Sequence, residues 1–371
     1  MLTKNKLLSI FLSAGLLISI AAYYAVDTLE SDAPAKPATK PEMTAPAKTD
    51  TKPEAAVPAK SDATAETMAP ARPTIEYAKS LVDMQLKKIS EHVYYVQGRA
   101  GIATDNEGFI SNASVIITDD GIVIFDALGT PSLAMKLLEL IREISDQPIV
   151  KVVMSHYHAD HLYGLQIFQE QGAVIIAPFG VDTYIRSDVA KSRLQERQFS
   201  LAPWVNENTR VVAPDIIVEK GMQFQLGGID FVINFIGSAH SDGDMTLYVK
   251  QDNVLLSGDI IFEGRVPFIG NGDTGHWLKT LEEMETRGLA ALIPGHGPAA
   301  TSPGETISMT RRYLAYMRDK MGTAVDELQS FDEAYAETDW SQFESLPAFK
   351  EANRINAYQV FLSMEAELLD Q

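Results

Sequence analysis

The sequence predicts an α/β protein in which two sheets pack on each other with helices outside. Two observations carry this. Strand-like segments come in two successive groups, and each group closes on segments of helical spacing. The chain has 371 residues, 46% hydrophobic and 22% charged, which supplies ample apolar mass for one large core or two smaller ones. Its formal net charge of −19 repels phosphate backbones, so nucleic acid is not expected as a partner. The absence of cysteine rules out disulfides, a thiolate metal site, a cysteine nucleophile and a lipid-modified N-terminal cysteine.

Residues 1–30 read as an export segment. Lys4 and Lys6 precede an apolar run over residues 7–24, and Asp27, Glu30 and Asp32 follow it. Basic before and acidic after places the N-terminus inside and the rest outside. The run suits a secretory signal or an uncleaved anchor in the inner membrane, and either makes the protein exported and periplasmic. Residues 31–74 are built of Ala, Pro, Lys, Thr and acids without an aromatic, and read as a disordered tether. A globular domain is expected over residues 75–303 and a helical extension over 304–371.

Within the globular part, residues 88–97 alternate like a strand, and the glycine-rich residues 98–111 read as a mobile hairpin loop. Residues 114–118 and 121–125 form a second hairpin around Asp119-Asp120. Residues 131–145 have helical spacing, 149–154 are a continuous apolar strand, and 173–177 another short one. Residues 181–199 read as one helix carrying Arg186, Lys191, Arg193 and Arg197. Residues 223–236 give paired strands, and 245–249 and 254–256 two more. A helix over 275–287, a strand over 291–293 and a mostly helical remainder complete the chain.

The chemistry is concentrated at strand ends. The strand over residues 149–154 runs into Ser155-His156-Tyr157-His158-Ala159-Asp160-His161. In an extended backbone, residues two apart point the same way, so His156 and His158 can grip one metal together. Asp160 and His161 lie past the bend and can face a second. Imidazole with carboxylate is a ligand set that suits Zn²⁺. His240, Asp259 and His296 follow later strands, each with glycine nearby to let backbone approach a metal centre. Five of the seven histidines fall in these segments, leaving only His92 and His276 outside. Chance placement would explain one such histidine better than five in this order.

The ordered set His-x-His-x-Asp-His, then His240, Asp259 and His296, resembles the metallo-β-lactamase superfamily over about residues 88–300. The resemblance implies a four-layer αβ/βα sandwich with metals in a cleft at one sheet edge, here carrying a C-terminal helical extension. It further implies that two zinc ions bind per chain. His156, His158 and His240 would hold the first, Asp160, His161 and His296 the second, and Asp259 would bridge them. Many true β-lactamases carry cysteine or serine at that bridging position. Glyoxalase II, lactonases, alkylsulfatases and zinc phosphodiesterases resemble this chain in carrying aspartate. The order of export segment, catalytic domain and helical tail is similar to the glyoxalase II-like periplasmic hydrolases linked to quinoprotein dehydrogenases.

The activity so implied is hydrolysis of a small ester, thioester or lactone by a water held between the metals. Asp160 and Asp259 would be the catalytic carboxylates, tying down the metals and orienting that water. No Gly-x-Ser-x-Gly elbow offers an alternative nucleophile. β-Lactam hydrolysis would use the same ligands, and a persulfide dioxygenase would use the first set with one iron.

Other residues carry softer expectations. Residues 98–111 resemble the family's cleft-covering flap, or are a plain solvent hairpin. Some of Arg265, Phe268, Asn271 and His276 should face the cleft, with His276 better read as a helix start. The arginines of residues 186–197 read as a solvated face before an anion site. His92 reads as structural, and Asp126 as a hydrogen-bonding group beneath the metals.

Overall fold

The computed structural model describes residues 77–284 and 288–369. The expected export segment and tether lie outside the described residues. No helix among the described residues is long and apolar enough to cross a membrane.

Two sheets form the centre. The first runs, in spatial order, β1 (Lys87–Lys88), β2 (Val93–Val96), β3 (Ala113–Thr118), β4 (Gly121–Phe125), β5 (Ile149–Val153), β6 (Val174–Pro178) and β7 (Ile216–Val218). Its first four strands pair antiparallel and its last four parallel. The second is ordered β12 (Ala291–His296), β11 (Val254–Phe262), β10 (Asp244–Val249), β9 (Ile229–Gly237) and β8 (Met222–Leu226).

Side-chain alternation makes the layers. In β4, Val123 and Phe125 face the second sheet while Ile122 and Ile124 face outward onto helices. In β12, Ala291 and Ile293 face inward and Leu292 outward. Between the sheets lies one apolar seam, with Val93, Ile116 and Val153 opposite Phe231, Leu247 and Leu256. The outer face of the first sheet is covered by α1 (Pro131–Arg142), α2 (Ala159–Leu162), α3 (Leu165–Glu170) and α4 (Val181–Arg186), with α5 (Asp188–Ser200) beside them. Leu133, Leu137 and Ile141 recur every four residues on the buried face of α1, and the Thr130 hydroxyl caps it by accepting from Leu133 N at 3.1 Å. The second sheet is covered by α6 (Thr274–Glu283), α7 (Pro303–Asp326), α8 (Phe331–Glu337) and α9 (Phe349–Leu369). The architecture is therefore helix, sheet, sheet, helix, as expected, and the C-terminal helices share one apolar cluster with the second sheet.

Several local expectations are corrected. The alternation over residues 88–97 becomes two short strands around a turn at Ser90–His92, held by Val93 bonding back to Ser90. Residues 98–111 are no free hairpin. They contain a 3₁₀ turn (Ala103–Asp105), and Ala103 and Ile110 pack on Leu201 and Val205 beyond α5. The helix expected over residues 181–199 breaks at Ser187, which leaves the helical backbone to cap α5. The strand β7 and the helices α2 and α3 had no periodic signal long enough to announce them. β11 continues to Phe262, so Asp259 lies inside a strand instead of after one. The polar Ser257-Gly258 hides that continuation. Gly258 adopts φ of +54° at a register shift, and the apolar run then resumes.

Candidate metal centre

One edge of the sandwich gathers the loop after β4, the loop after β5, the β9–β10 loop, the middle of β11 and the end of β12. His156 and His158 sit on extended backbone. His158 then ends that stretch as the residue before α2, so Asp160 and His161 turn with the first residues of the helix. His240 comes from the β9–β10 loop, Asp259 from β11 and His296 from the last position of β12.

All seven side chains converge. Ligand-type atoms of His156, His158 and His240 lie within 4.8 Å of one another, as do those of His156, His161 and Asp259, and those of Asp160, His161 and His296. Asp259 approaches both ends: its carboxylate lies 3.4 Å from His161 Nε2, 3.3 Å from His240 Nε2 and 3.2 Å from His296 Nε2. His158 Nδ1 faces His240 Nε2 at 2.9 Å.

The opposite ring atoms are already committed. His161 Nδ1 lies 2.9 Å from Asp126 Oδ2, His240 Nδ1 3.0 Å from the Phe268 carbonyl, and His296 Nδ1 2.7 Å from the Ile110 carbonyl. His156 Nδ1 lies 2.8 Å from Ser155 Oγ, which donates to Asp126 Oδ2 at 2.8 Å. These contacts place hydrogen on Nδ1 of four rings and leave Nε2 as a lone-pair donor to the centre. His156 Nε2, His161 Nε2 and Asp259 Oδ1 are buried without a hydrogen-bond partner. Buried polar atoms left so cost free energy unless something else binds them. A Cβ at Gly295 would meet Asp259 Oδ1 at 1.9 Å, so only glycine lets β12 pass this close. Converging lone pairs, outward-committed hydrogens and a glycine-cleared approach fit a metal cluster of imidazole and carboxylate ligands.

Electrostatics divide the rings: burial holds His156, His158 and His240 neutral, while the carboxylates draw protons toward His161 and His296, where a bound cation would compete with them. Burial pushes His156 well below its ordinary value, and its histidine neighbours add to that. Burial likewise depresses His240, to about 3, with Asp259 opposing it. Burial would also depress His161, but Asp259, Asp160 and Asp126 overcome it and hold His161 well above the usual range. Burial would raise Asp160 and Asp259. The histidines around them reverse that and hold both carboxyls below the ordinary range, so both are ionised.

Asp126 hydrogen-bonds beneath the site as expected, but its reach is wider. Besides His161 it accepts from Ser155 N at 2.7 Å and from Ser155 Oγ. It does so in a left-handed conformation, φ +64°.

A cavity of about 100 Å³ opens over the centre. Gly101, Ile102 and Ile110 of the 98–111 segment line it, so that segment borders the cleft while anchored by its own buried residues. The arginine helix is corrected. Arg186 and Lys191 are solvated and paired with Asp182 and Asp188, but Arg193 and Arg197 are buried and line the cavity. Their i, i+4 spacing puts them on one face of α5 but does not say whether that face is buried. Arg265 and Phe268 line the cavity too, Asn271 borders a smaller recess beside His240, and His276 serves its helix start by bonding to Asp273 and Ser238. Tyr157, Tyr184 and Glu351 also line the cavity, and no motif or spacing marked them beforehand. His92 lies away from the centre, its Nδ1 2.9 Å from Asp252.

The sequence model of the metallo-beta-lactamase superfamily matches residues 106–296, more than half of the chain. The chain belongs to this superfamily. Among its superfamily relatives, metallo-beta-lactamase IND-1 of Chryseobacterium indologenes is 22% identical over 210 residues, covering 55% of this chain and 77% of that protein. The alkyl/aryl-sulfatase BDS1 of Saccharomyces cerevisiae is 27% identical over 198 residues, covering 46% of this chain and 29% of the sulfatase. The probable metallo-hydrolase YqgX of Bacillus subtilis is 25% identical over 193 residues, covering 51% and 85%. In structure, the inverting sec-alkylsulfatase Pisa1 from Pseudomonas aligns with a TM-score of 0.59 at 20% identity, over 76% of this chain and 50% of that one. The chain thus spans half or less of the sulfatases it matches, and the structural likeness concerns the fold.

Proposed function

We propose that this chain is a binuclear zinc hydrolase that cleaves a small ester, thioester or lactone. The observation that carries it is the convergence of seven ligand-type side chains whose inward atoms are buried and unsatisfied. Seven exceed what one four-coordinate zinc can use. His156, His158 and His240 would hold one ion, Asp160, His161 and His296 the other, with Asp259 shared. Ions bound there would supply Lewis acidity and a water of pKa near 7 as nucleophile. The chain's own residues do the rest. Asp160 and Asp259, held ionised by the histidines around them, would hold the ions and accept hydrogens from a water bound there. The committed Nδ1 atoms fix the rings, and the segment from Gly101 to Ile110 limits bulk water above the site. An aspartate at 259, where many true β-lactamases carry cysteine or serine, favours these substrates over β-lactams. We place the enzyme outside the cytoplasm on the charge order of residues 1–30.

Metal analysis of the purified chain tests this, with a screen of lactone, thioester, ester, sulfate ester and β-lactam substrates. Two zinc ions and turnover of an acyl substrate are expected, in an extracytoplasmic cell fraction. A single iron per chain with activity on a persulfide overturns the metal and the reaction together. Turnover of β-lactams alone overturns the substrate, and activity confined to the cytosol overturns export.

A further inference from the structure

His296 stands between two glycines. Gly297 is left-handed at φ +99°, and a Cβ there would meet the Glu263 carbonyl oxygen at 2.0 Å. A Cβ at Gly295 would strike Asp259 Oδ1 in the same way. Neither position can take a side chain. Glycine has more backbone freedom to lose on folding than any other residue, so this ligand sits on the most yielding stretch of its strand. Contacts from outside β12 must hold it. One residue makes most of them. Asn112, the position before β3, is buried at 3% exposure. Its Nδ2 donates to the Pro294 carbonyl at 2.7 Å and to the Gly297 carbonyl at 2.9 Å, and its backbone N–H donates to the Gly295 carbonyl at 2.7 Å. The carbonyl of His296 itself accepts from Glu263 N at 3.1 Å. Of four successive carbonyls around His296, all but one therefore end on a single asparagine.

Resting on the two-ion reading above, we propose that residues 110–112 form a positioning clamp that assembles the Asp160, His161 and His296 ligand subset across the two sheets, with Asn112 its central member. The two residues before Asn112 extend its reach. The Ile110 carbonyl accepts from His296 Nδ1 at 2.7 Å, and Ser111 Oγ donates to the Asp160 carbonyl at 2.5 Å. Asp160 and His161 begin a helix on the first sheet's side, whereas His296 ends a strand of the second. Three consecutive residues thus grip both loops that supply this subset. The Asn112 amide has one orientation. Its Oδ1 accepts from Gly98 N at 3.0 Å, so both donors and the acceptor are committed, and a flip would set oxygen against two carbonyls. The other subset is built differently. His156 and His158 share one extended stretch, and the His240 ring is held by the Phe268 carbonyl. The clamp touches neither ion nor substrate. It fixes where the ligand atoms stand, and it ties the limb of the cleft-bordering segment that carries Ile110 to the ligands below it.

Asn112→Asp is nearly isosteric. It keeps the acceptor for Gly98 and turns a second oxygen toward the Pro294 and Gly297 carbonyls. By chelator competition, zinc held by Asp160, His161 and His296 should bind about 10- to 100-fold more weakly, with the other ion little changed. Stepwise cobalt loading, followed in the visible spectrum, should show one step displaced and the other in place. A merely structural asparagine would shift both together. Equal loss of the two ions, or of neither, in a folded variant overturns the clamp and leaves the hydrolase reading standing. If the native chain takes up a single ion, the two-ion reading falls, and the metal-free chain decides the clamp by hydrogen exchange. There the Glu263 amide, bonded to the His296 carbonyl, should exchange at least about 10-fold faster in Asn112→Asp. The Met245 amide, bonded to the Ser155 carbonyl beside the other subset, should keep its rate. An unchanged Glu263 amide overturns the clamp at any metal count. Should Asn112→Asp fail to fold, Ser111→Ala, which removes one bond to Asp160, should weaken the same ion by about 2- to 10-fold. A loss confined to the other ion overturns the clamp.

Discussion

At the scale of single residues, Asp126 does more than its place in the sequence suggests. One carboxylate accepts from a backbone N–H, a hydroxyl and an imidazole, and through Ser155 it orients His156 as well as His161. Its left-handed backbone is maintained at a cost of about 1–3 kcal/mol, which the surrounding contacts offset. Asp126→Asn places an N–H₂ where one of these donors points. Zinc affinity should drop by about 10- to 100-fold, measured by chelator competition. Unchanged affinity in a folded variant would show that His161 is oriented by packing alone. The metal candidates were legible because four of them sit within six positions, in a pattern that a strand and a bend convert directly into geometry. Arg193 and Arg197 were not. On paper a buried arginine on a helix looks the same as a solvated one, and only the cavity separates them.

Among elements, α9 is the one whose place explains most. Asn356 accepts from Ile269 N at 2.9 Å and donates to the Pro267 carbonyl at 2.7 Å and to Tyr313 Oη at 2.9 Å. Tyr313 in turn donates to Asn353 at 2.9 Å. The segment so pinned carries Arg265 and Phe268, and the Phe268 carbonyl accepts from His240 Nδ1. Asn356 is therefore a positioning residue acting on a candidate metal ligand it never touches. Asn356→Leu leaves a buried N–H and a carbonyl unmet and should cost about 2–4 kcal/mol of stability, read by denaturant unfolding. If two ions bind as proposed, it should also loosen the one at His240 more than the other. Stability loss with both zinc affinities intact would reduce the network to a structural one. The helix itself was foreseeable from spacing, but its role was not, because nothing in a linear sequence brings residue 356 beside residue 268. The middle of β11 was hidden for a different reason, since Ser257-Gly258 breaks the apolar run that marks a strand.

For the molecule as a whole, the sandwich was legible because period-two alternation sorts each strand's faces between the seam and the helices. The fastening of the two sheets at the end away from the metals was less so. There the turn before β2 meets the turn between β10 and β11, where Asp252 accepts from His92 N at 3.1 Å and contacts His92 Nδ1. Burial would raise the Asp252 carboxyl, but hydrogen bonds from Ser90 and His92 outweigh that and hold it below its ordinary value. A carboxyl depressed in the fold stabilises above its unfolded pKa, near 3.9, and that contribution fades as pH falls through the folded value. Asp252→Asn should therefore lower stability by roughly 1 kcal/mol at pH 7. The gap to the native chain should close below about pH 4. A gap independent of pH would mean that shape and not charge joins the sheets.

The wall that α9 gives the cavity also sets an order of events in time. His296 completes the candidate ligand set, yet Ala348, Glu351 and Ala352 of the cavity wall come much later in the chain. A ribosome adding about 5–20 residues per second reaches them some seconds after the last histidine. During that interval a nascent chain owns every candidate metal ligand and no finished cavity wall. The candidate ligands are thus made before the helix that pins the segment behind His240 and completes the cavity wall, and a chain clipped before α9 would own them without either support.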